Sequence, residues 1–333
     1  MSGALRGIAC GSAMLAFALT PVAAAAQVAS RAYVTNERSE TVTVINTADN
    51  SVIATISMGK GRPRGIHLSP DGKRVYVALS DTLRTIQTDR DAIVVIDPAS
   101  SDVTGRLPAG TDPEQFAISP DGGRLYVANE DAGTTSVIDL GTGKVVATLV
   151  VGVEPEGVAV SPDGRWVYVT AETSNTVTVI DTRADHVVAN FLVDIRPRAA
   201  VFSPNLPRAY VTAEIGGTLS VVDTETHDVI KTIDLPGGTA KPVGVVVSPD
   251  GARVYVADGN GDAMVAIDAR TQQVVGRVPV GKRPWGIAVS PDGKRIYTAN
   301  GVSNDVSVID AARLQVVATI PVGEGPWGLA VSR

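Results

Sequence analysis

From residue 32 onward the chain alternates short apolar runs with polar turns, and the runs read as strands. The stretch from 284 to 320 shows the unit. Pro284-Trp285-Gly286-Ile287-Ala288-Val289 is a first strand opened by Pro-x-Gly, and Ser290-Pro291-Asp292-Gly293 is a turn. A second strand follows around Tyr297, then a polar loop, a third strand at Val306-Ser307-Val308-Ile309-Asp310 and a fourth at Val316-Val317-Ala318-Thr319-Ile320. The Ser-Pro-Asp-Gly turn recurs at 69–72, 119–122, 161–164, 248–251 and 290–293. Proline presets φ there, the aspartate caps the turn, and glycine takes the position with positive φ.

The tyrosines mark the period. All seven, Tyr33, Tyr76, Tyr126, Tyr168, Tyr210, Tyr255 and Tyr297, fall on second strands at spacings of 43, 50, 42, 42, 45 and 42. Four short strands per unit of about 42 residues is the pattern of a propeller blade, so the expected fold is all-β, a seven-bladed β-propeller of four-stranded blades. The repeat starts on a second strand, Ala32-Tyr33-Val34-Thr35, and finishes on a lone first strand, Trp327-Gly328-Leu329-Ala330-Val331. Pairing that C-terminal first strand with the N-terminal blade would close the ring and leave no open edge. Two departures stand out. An insertion from Ser80 to Asp91 accounts for the spacing of 50, and Ser203-Pro204-Asn205-Leu206-Pro207 replaces the usual turn in the fifth blade, where the least regular turn is expected. One tyrosine per blade at one strand position assigns these rings to packing between blades.

The N-terminus is of another kind. Arg6, the apolar stretch Ile8–Leu19 and Ala24-Ala25-Ala26 read as a signal peptide over 1–26, with a single propeller domain over 27–333. The expected location after cleavage is periplasmic or secreted. Cys10 lies at the start of the apolar run instead of after it, so no lipid anchor and no membrane attachment is expected. Cleavage would remove the only cysteine, excluding disulfides and thiolate metal sites, and would move the net charge from −6 to −7 by removing Arg6. A mildly acidic chain without a basic block argues against nucleic acid as a partner.

Tyr33-Val34-Thr35-Asn36 is the signature of the YVTN β-propeller repeat family, which the whole of 27–333 resembles. Within it the chain is most similar to the propellers associated with PQQ-dependent alcohol catabolism, on Asp112-Pro113-Glu114, Val153-Glu154-Pro155-Glu156-Gly157 and Asn300–Ser307. That resemblance implies a place beside periplasmic alcohol oxidation and names no reaction. Holding PQQ itself is not expected, because propellers that do so usually use a vicinal disulfide.

Motifs for chemistry are few. There is no Gly-x-Ser-x-Gly, and His67, His186 and His227 lack metal-ligand spacing. His67 falls on a first strand near the channel, whereas His186 and His227 fall in peripheral turns between third and fourth strands. What differs between units is the pair of residues flanking each entry proline. By blade these are Gly325/Trp327, Arg62/Arg64, Asp112/Glu114, Glu154/Glu156, Arg196/Arg198, Lys241/Val243 and Arg283/Trp285. Glu37, Glu130, Glu172, Glu214 and Asp258, just after second strands, belong to the same face. Carboxylates on adjacent blades with arginine pairs on either side, and two tryptophans roughly opposite, read as a solvated rim or as a polar ligand pocket with a stacking wall.

The leading expectation is an exported, non-catalytic, monomeric binding or scaffold protein for a small molecule or a periplasmic protein partner. The alternative is a lactonase-like or lyase-like propeller enzyme using Glu114, Glu154, Glu156 and Arg198. No cofactor is required by the sequence, and a divalent cation at the carboxylate arc is the one that would fit.

Overall fold

The computed structural model describes residues 1, 3–4, 30–81, 88 and 90–332. The expected signal peptide lies outside the described residues apart from Met1, Gly3 and Ala4, as does most of the 80–91 insertion. Among the described residues all regular structure is strand: 28 strands in seven four-stranded antiparallel sheets. No helix of the described residues is long and apolar enough to cross a membrane.

Six sheets take four consecutive strands each. The seventh joins the two ends of the chain, with Pro326–Val331 paired to Arg31–Asn36 through Ala32↔Val331, Tyr33↔Ala330 and Val34↔Leu329. Ser332 N–H donates to the Arg31 carbonyl at 2.8 Å and the Ser30 hydroxyl to the Ser332 carbonyl at 2.6 Å, extending the closure past the strands. Pairing first and last elements leaves no open seam in the ring.

The tyrosines pack between blades. Tyr168 meets Phe202 of the following blade at 4.6 Å between ring centres, and Tyr33 is buried among Ile66, Val75 and Val77 of the second blade. In each Ser-Pro-Asp-Gly turn the serine hydroxyl donates to the aspartate, at 2.5 Å for Ser119–Asp121, and the glycine has φ near +70°. The Ser203–Pro207 replacement has no such glycine and bends irregularly, closing through Arg208 N–H to the Leu206 carbonyl at 2.7 Å.

One irregularity repeats in all seven blades, and it makes the mouth of the channel. Where first and second strands pair, two residues after the entry proline oppose a single partner. In the fourth blade Pro155 faces Ala171 and Val158 faces Val169, so Glu156 and Gly157 share Thr170. The same shift follows Pro63, Pro113, Pro197, Pro242, Pro284 and Pro326. Such a bulge kinks the strand and re-aims one side chain. The re-aimed residues are Arg64, Glu114, Glu156, Arg198, Val243, Trp285 and Trp327.

The glycine of Pro-x-Gly follows from that geometry. A Cβ on Gly157 would lie 2.3 Å from the Arg198 carbonyl oxygen of the next blade, and one on Gly328 2.4 Å from that of Arg64. Only glycine admits so close a backbone approach. The threonine after Tyr-Val clamps the same contact. Thr35 accepts from Gly328 N–H at 2.7 Å and donates to the Arg64 carbonyl at 2.7 Å. Thr170 likewise links Gly157 N–H, at 2.8 Å, to the Arg198 carbonyl, at 2.9 Å.

Candidate functional site

Seven bulges aimed at one axis bring the residues after the entry prolines together. A cavity of about 310 Å³ opens at this mouth, lined among others by Arg64, Glu156, Arg198, Arg283, Trp285 and Trp327. Below it a narrow waist passes Gly157, Val243 and Ile287 beside His67 and Gln115. The opposite mouth has Leu68, Val201, Val247 and Val331 on its wall and the charged side chains Arg31, Asp71, Lys73 and Asp97 at its edge.

The charges of the mouth form two networks. In the first, Arg62 pairs with Asp112 at 2.6 Å and Arg64 pairs closely with Glu114, while Glu37 lies 3.2 Å from Arg64. In the second, Arg198 pairs closely with Glu172 and lies 3.5 Å from both Glu156 and Glu214. Arg196 adds Glu172 at 2.8 Å and Glu214 at 3.2 Å, and Arg283 approaches Glu214 at 3.6 Å. The two tryptophans stand between the networks, 6.2 Å apart between ring centres. Their faces are already taken by guanidinium groups. Arg198 lies 4.8 Å and Arg283 4.9 Å from the Trp285 ring centre, and Arg64 lies 5.8 Å from that of Trp327.

Burial sets the protonation behaviour. Glu114 is fully buried and desolvation raises its pKa well above the usual glutamate range, opposed by Arg64 and reinforced by Glu156 and Glu130. Glu156, 3% exposed, is also raised by burial, with Arg198 and Arg64 pulling it back. For Arg64 burial works against the charge, but Glu114, Glu37, Glu156 and Asp112 outweigh it, so its pKa rises and it stays cationic. The site thus pairs fixed positive charge with a carboxylate poised above its ordinary pKa, the arrangement used for general-base work.

Not every residue singled out in the sequence joins the cavity. Glu154 is exposed and accepts a hydrogen bond from the Thr173 hydroxyl, outside the cavity lining. Asp258 is buried and spent on loop amides, accepting from Lys241 N–H at 2.9 Å and Gly261 N–H at 3.0 Å. Val243 faces the waist and adds no charge. Two histidine placements differ from expectation. His186 opens the fourth strand of its blade, and His227, though in a turn, packs inward: its Nδ1 lies 2.7 Å from the Tyr168 hydroxyl and its ring meets Trp166 edge-on. Thr35 and Thr170, which position the mouth backbone, and Gln115, which contacts His67, were not singled out. The repeated threonine after Tyr-Val was the available signal for the first two.

Three family models match different parts of the chain, two of them overlapping over 83–125, and each covers less than half of it. They are a seven-bladed β-propeller lactonase over residues 194–315, a cytochrome D1 heme domain over 83–193 and a YNCE-like β-propeller over 2–125. The heme that the second name implies does not fit these histidines: His186 is exposed, His227 is held by Tyr168, and His67 is half-buried with its ring edge-on to Phe116. No curated protein matches.

Solved structures of the same shape are numerous. A candidate 6-phosphogluconolactonase from Bacteroides uniformis is 20% identical with a TM-score of 0.77, covering 91% of this chain and 99% of its own. One from Bacteroides fragilis is 17% identical with a TM-score of 0.75, covering 93% and 100%. The Kuenenia stuttgartiensis hydrazine synthase chain is 22% identical with a TM-score of 0.71, covering 81% and 95%. At these identities the likeness is one of fold. The chain is a closed seven-bladed β-propeller, with one segment similar to propeller lactonases and another to YNCE-like propellers.

Proposed function

We propose that the chain is a hydrolase that opens a lactone, or cleaves a related ester, at the charged mouth of its channel. The observation that carries this reading is Glu156, a buried carboxylate with a raised pKa held 3.5 Å from Arg198 on the wall of the mouth cavity. In the proposed reaction Glu156 takes a proton from water as the water oxygen bonds to the acyl carbon. Arg198 stabilises the negative charge that gathers on the carbonyl oxygen. The ring C–O bond then breaks, and the proton held by Glu156 passes to the departing oxygen, giving a hydroxy acid. Arg64 and Arg283 favour substrates that carry a further anionic group.

The similarity of residues 194–315 to propeller lactonases, and the titles of the two Bacteroides neighbours, support this reading over the non-catalytic scaffold. Export to the periplasm, resting on the N-terminal segment, and a role beside PQQ-dependent alcohol oxidation, resting on the YVTN resemblance, belong to the same proposal. Oxidising a diol or a cyclic hemiacetal yields a lactone, which would give such a hydrolase its substrate. The test is a pH-stat panel of aldonolactones, their phosphorylated forms, and simple lactones and esters with signal-free protein. Turnover of one class well above the spontaneous rate is expected. No turnover of any of them would return the chain to the scaffold reading.

A further inference from the structure

The first charge network leaves negative charge unanswered. Oxygens of Asp112, Glu114 and Glu130 lie within 4.8 Å of one another. Asp112 uses Oδ1 on Arg62, and Glu114 uses Oε2 on Arg64. That leaves Asp112 Oδ2 buried and without a hydrogen-bond partner, on a side chain that is 1% exposed, while the fully buried Glu114 carboxyl has, beyond Arg64, the Glu130 carboxyl alone within hydrogen-bond reach. No Lys or Arg among the described residues pairs with Glu130.

The surroundings add to the imbalance. Glu37 shares Arg62 and Arg64, Asp81 pairs with Arg90 at 3.2 Å, and Asp91 is close enough to feel both Asp81 and Asp112. Among the described residues, Arg62, Arg64 and Arg90 are the arginines paired with these carboxylates. Buried carboxylate oxygens without a partner are costly unless something positive lies beside them. A proton would cancel one charge, and a divalent cation two.

We infer that Asp112, Glu114 and Glu130 bind one hard divalent cation of the calcium class. The donors are all oxygen, which suits calcium, magnesium or manganese and disfavours thiolate-seeking metals. Oxygens so close together can reach one ion at the ligand distances of about 2.3–2.6 Å that calcium prefers. Three carboxylates leave coordination positions for water and substrate, and Glu130 places the ion at the edge of the mouth cavity. The ion would sit one blade from Glu156, where it could polarise the acyl oxygen. This deepens the hydrolase reading and rests on it only for what the ion does.

Signal-free protein stripped with EDTA is titrated calorimetrically with CaCl₂, MgCl₂ and MnCl₂, and melted with and without each salt. One calcium per chain and a higher Tm are expected. Asp112→Asn and Glu130→Gln, each checked for fold by circular dichroism, should weaken binding about tenfold or more. Two variants are used so that one remains if the other misfolds. No heat and no Tm shift with all three salts overturns the inference, as does undiminished binding in both variants. Calcium binding without any lactone turnover upholds this site and removes the hydrolase reading. Turnover in a protein that binds none of the three cations does the reverse.

Discussion

The Arg198 guanidinium lies 4.8 Å from the centre of the Trp285 ring while its nitrogens face Glu172, Glu156 and Glu214. One side chain therefore ties the tryptophan wall to the carboxylates of two other blades. Trp285 is a platform for arginine in this state, and a ligand reaching that face must displace or share it.

Removing Arg198 should be costly. Arg198→Met keeps the length and leaves three carboxylates facing a buried position without their main cation. Breaking a buried pair in this way costs about 3–5 kcal/mol. Arg198→Lys keeps the charge and loses the planar contact with Trp285, so a smaller loss of stability is expected with a clear loss of kcat/KM. Thermal melts of both variants beside wild type check the order, and equal Tm values for Met and Lys would contradict it.

The mouth is also held by backbone. Thr170→Val removes the hydroxyl that joins Gly157 N–H to the Arg198 carbonyl and leaves both without that partner. Burying such groups unpaired costs about 1–3 kcal/mol. Thr170→Ser should recover most of it, because it restores the hydroxyl and loses only a methyl group. Urea denaturation of the pair reads the difference.

His67 gives the fold an acid limit. Burial lowers its pKa from 6.5 to about 4, with a hydrogen bond donated to the Gln115 side chain acting the other way. A depressed histidine pKa means stability that is full above pH 6.5 and lost as pH falls towards 4, up to about 3 kcal/mol over that window. Glu114 and Glu156, whose pKa values are raised, act in the opposite sense and lose stability as pH rises. The His67 contribution is therefore read as the difference between wild type and His67→Gln. The variant should lose less stability between pH 6.5 and 4, and parallel curves would contradict the assignment.

Repetition made much of this molecule legible from its sequence. A period marked by Tyr33 to Tyr297 determines strand order, and its start and finish determine how Pro326–Val331 closes on Arg31–Asn36. The positions after the entry prolines were legible as a ring because a repeat places equivalent residues at equivalent depths. What the repeat could not show is which charge meets which. Arg62 and Arg64 reach the neighbouring blade's Asp112 and Glu114, whereas Glu154, equivalent to Asp112 by register, turns outward to Thr173. Those outcomes depend on rotamers and on side chains from adjacent blades, and no spacing along the chain encodes them. The glycine that admits the close backbone approach was written as Pro-x-Gly in five blades, with Gln115 and Ala199 in the other two, and the clamping threonine as Tyr-Val-Thr at Thr35, Thr170 and Thr212. Their purpose appears only when neighbouring blades are placed side by side.

Glu156 is the residue on which the hydrolase reading turns, and the most direct measurement is the steady-state kinetics of Glu156→Gln on the best substrate of the lactone panel. Glutamine keeps the size of the side chain and can still receive a hydrogen bond from Arg198, so the mouth should remain folded, with KM little changed. The expected result is a fall in kcat of about 10²–10⁴-fold, the usual loss when a general base is removed. In wild type kcat/KM should decline on acidification through a pKa above the ordinary glutamate value, and this limb should be absent in the variant. Full activity in Glu156→Gln, with the acid limb unchanged, would contradict the assignment.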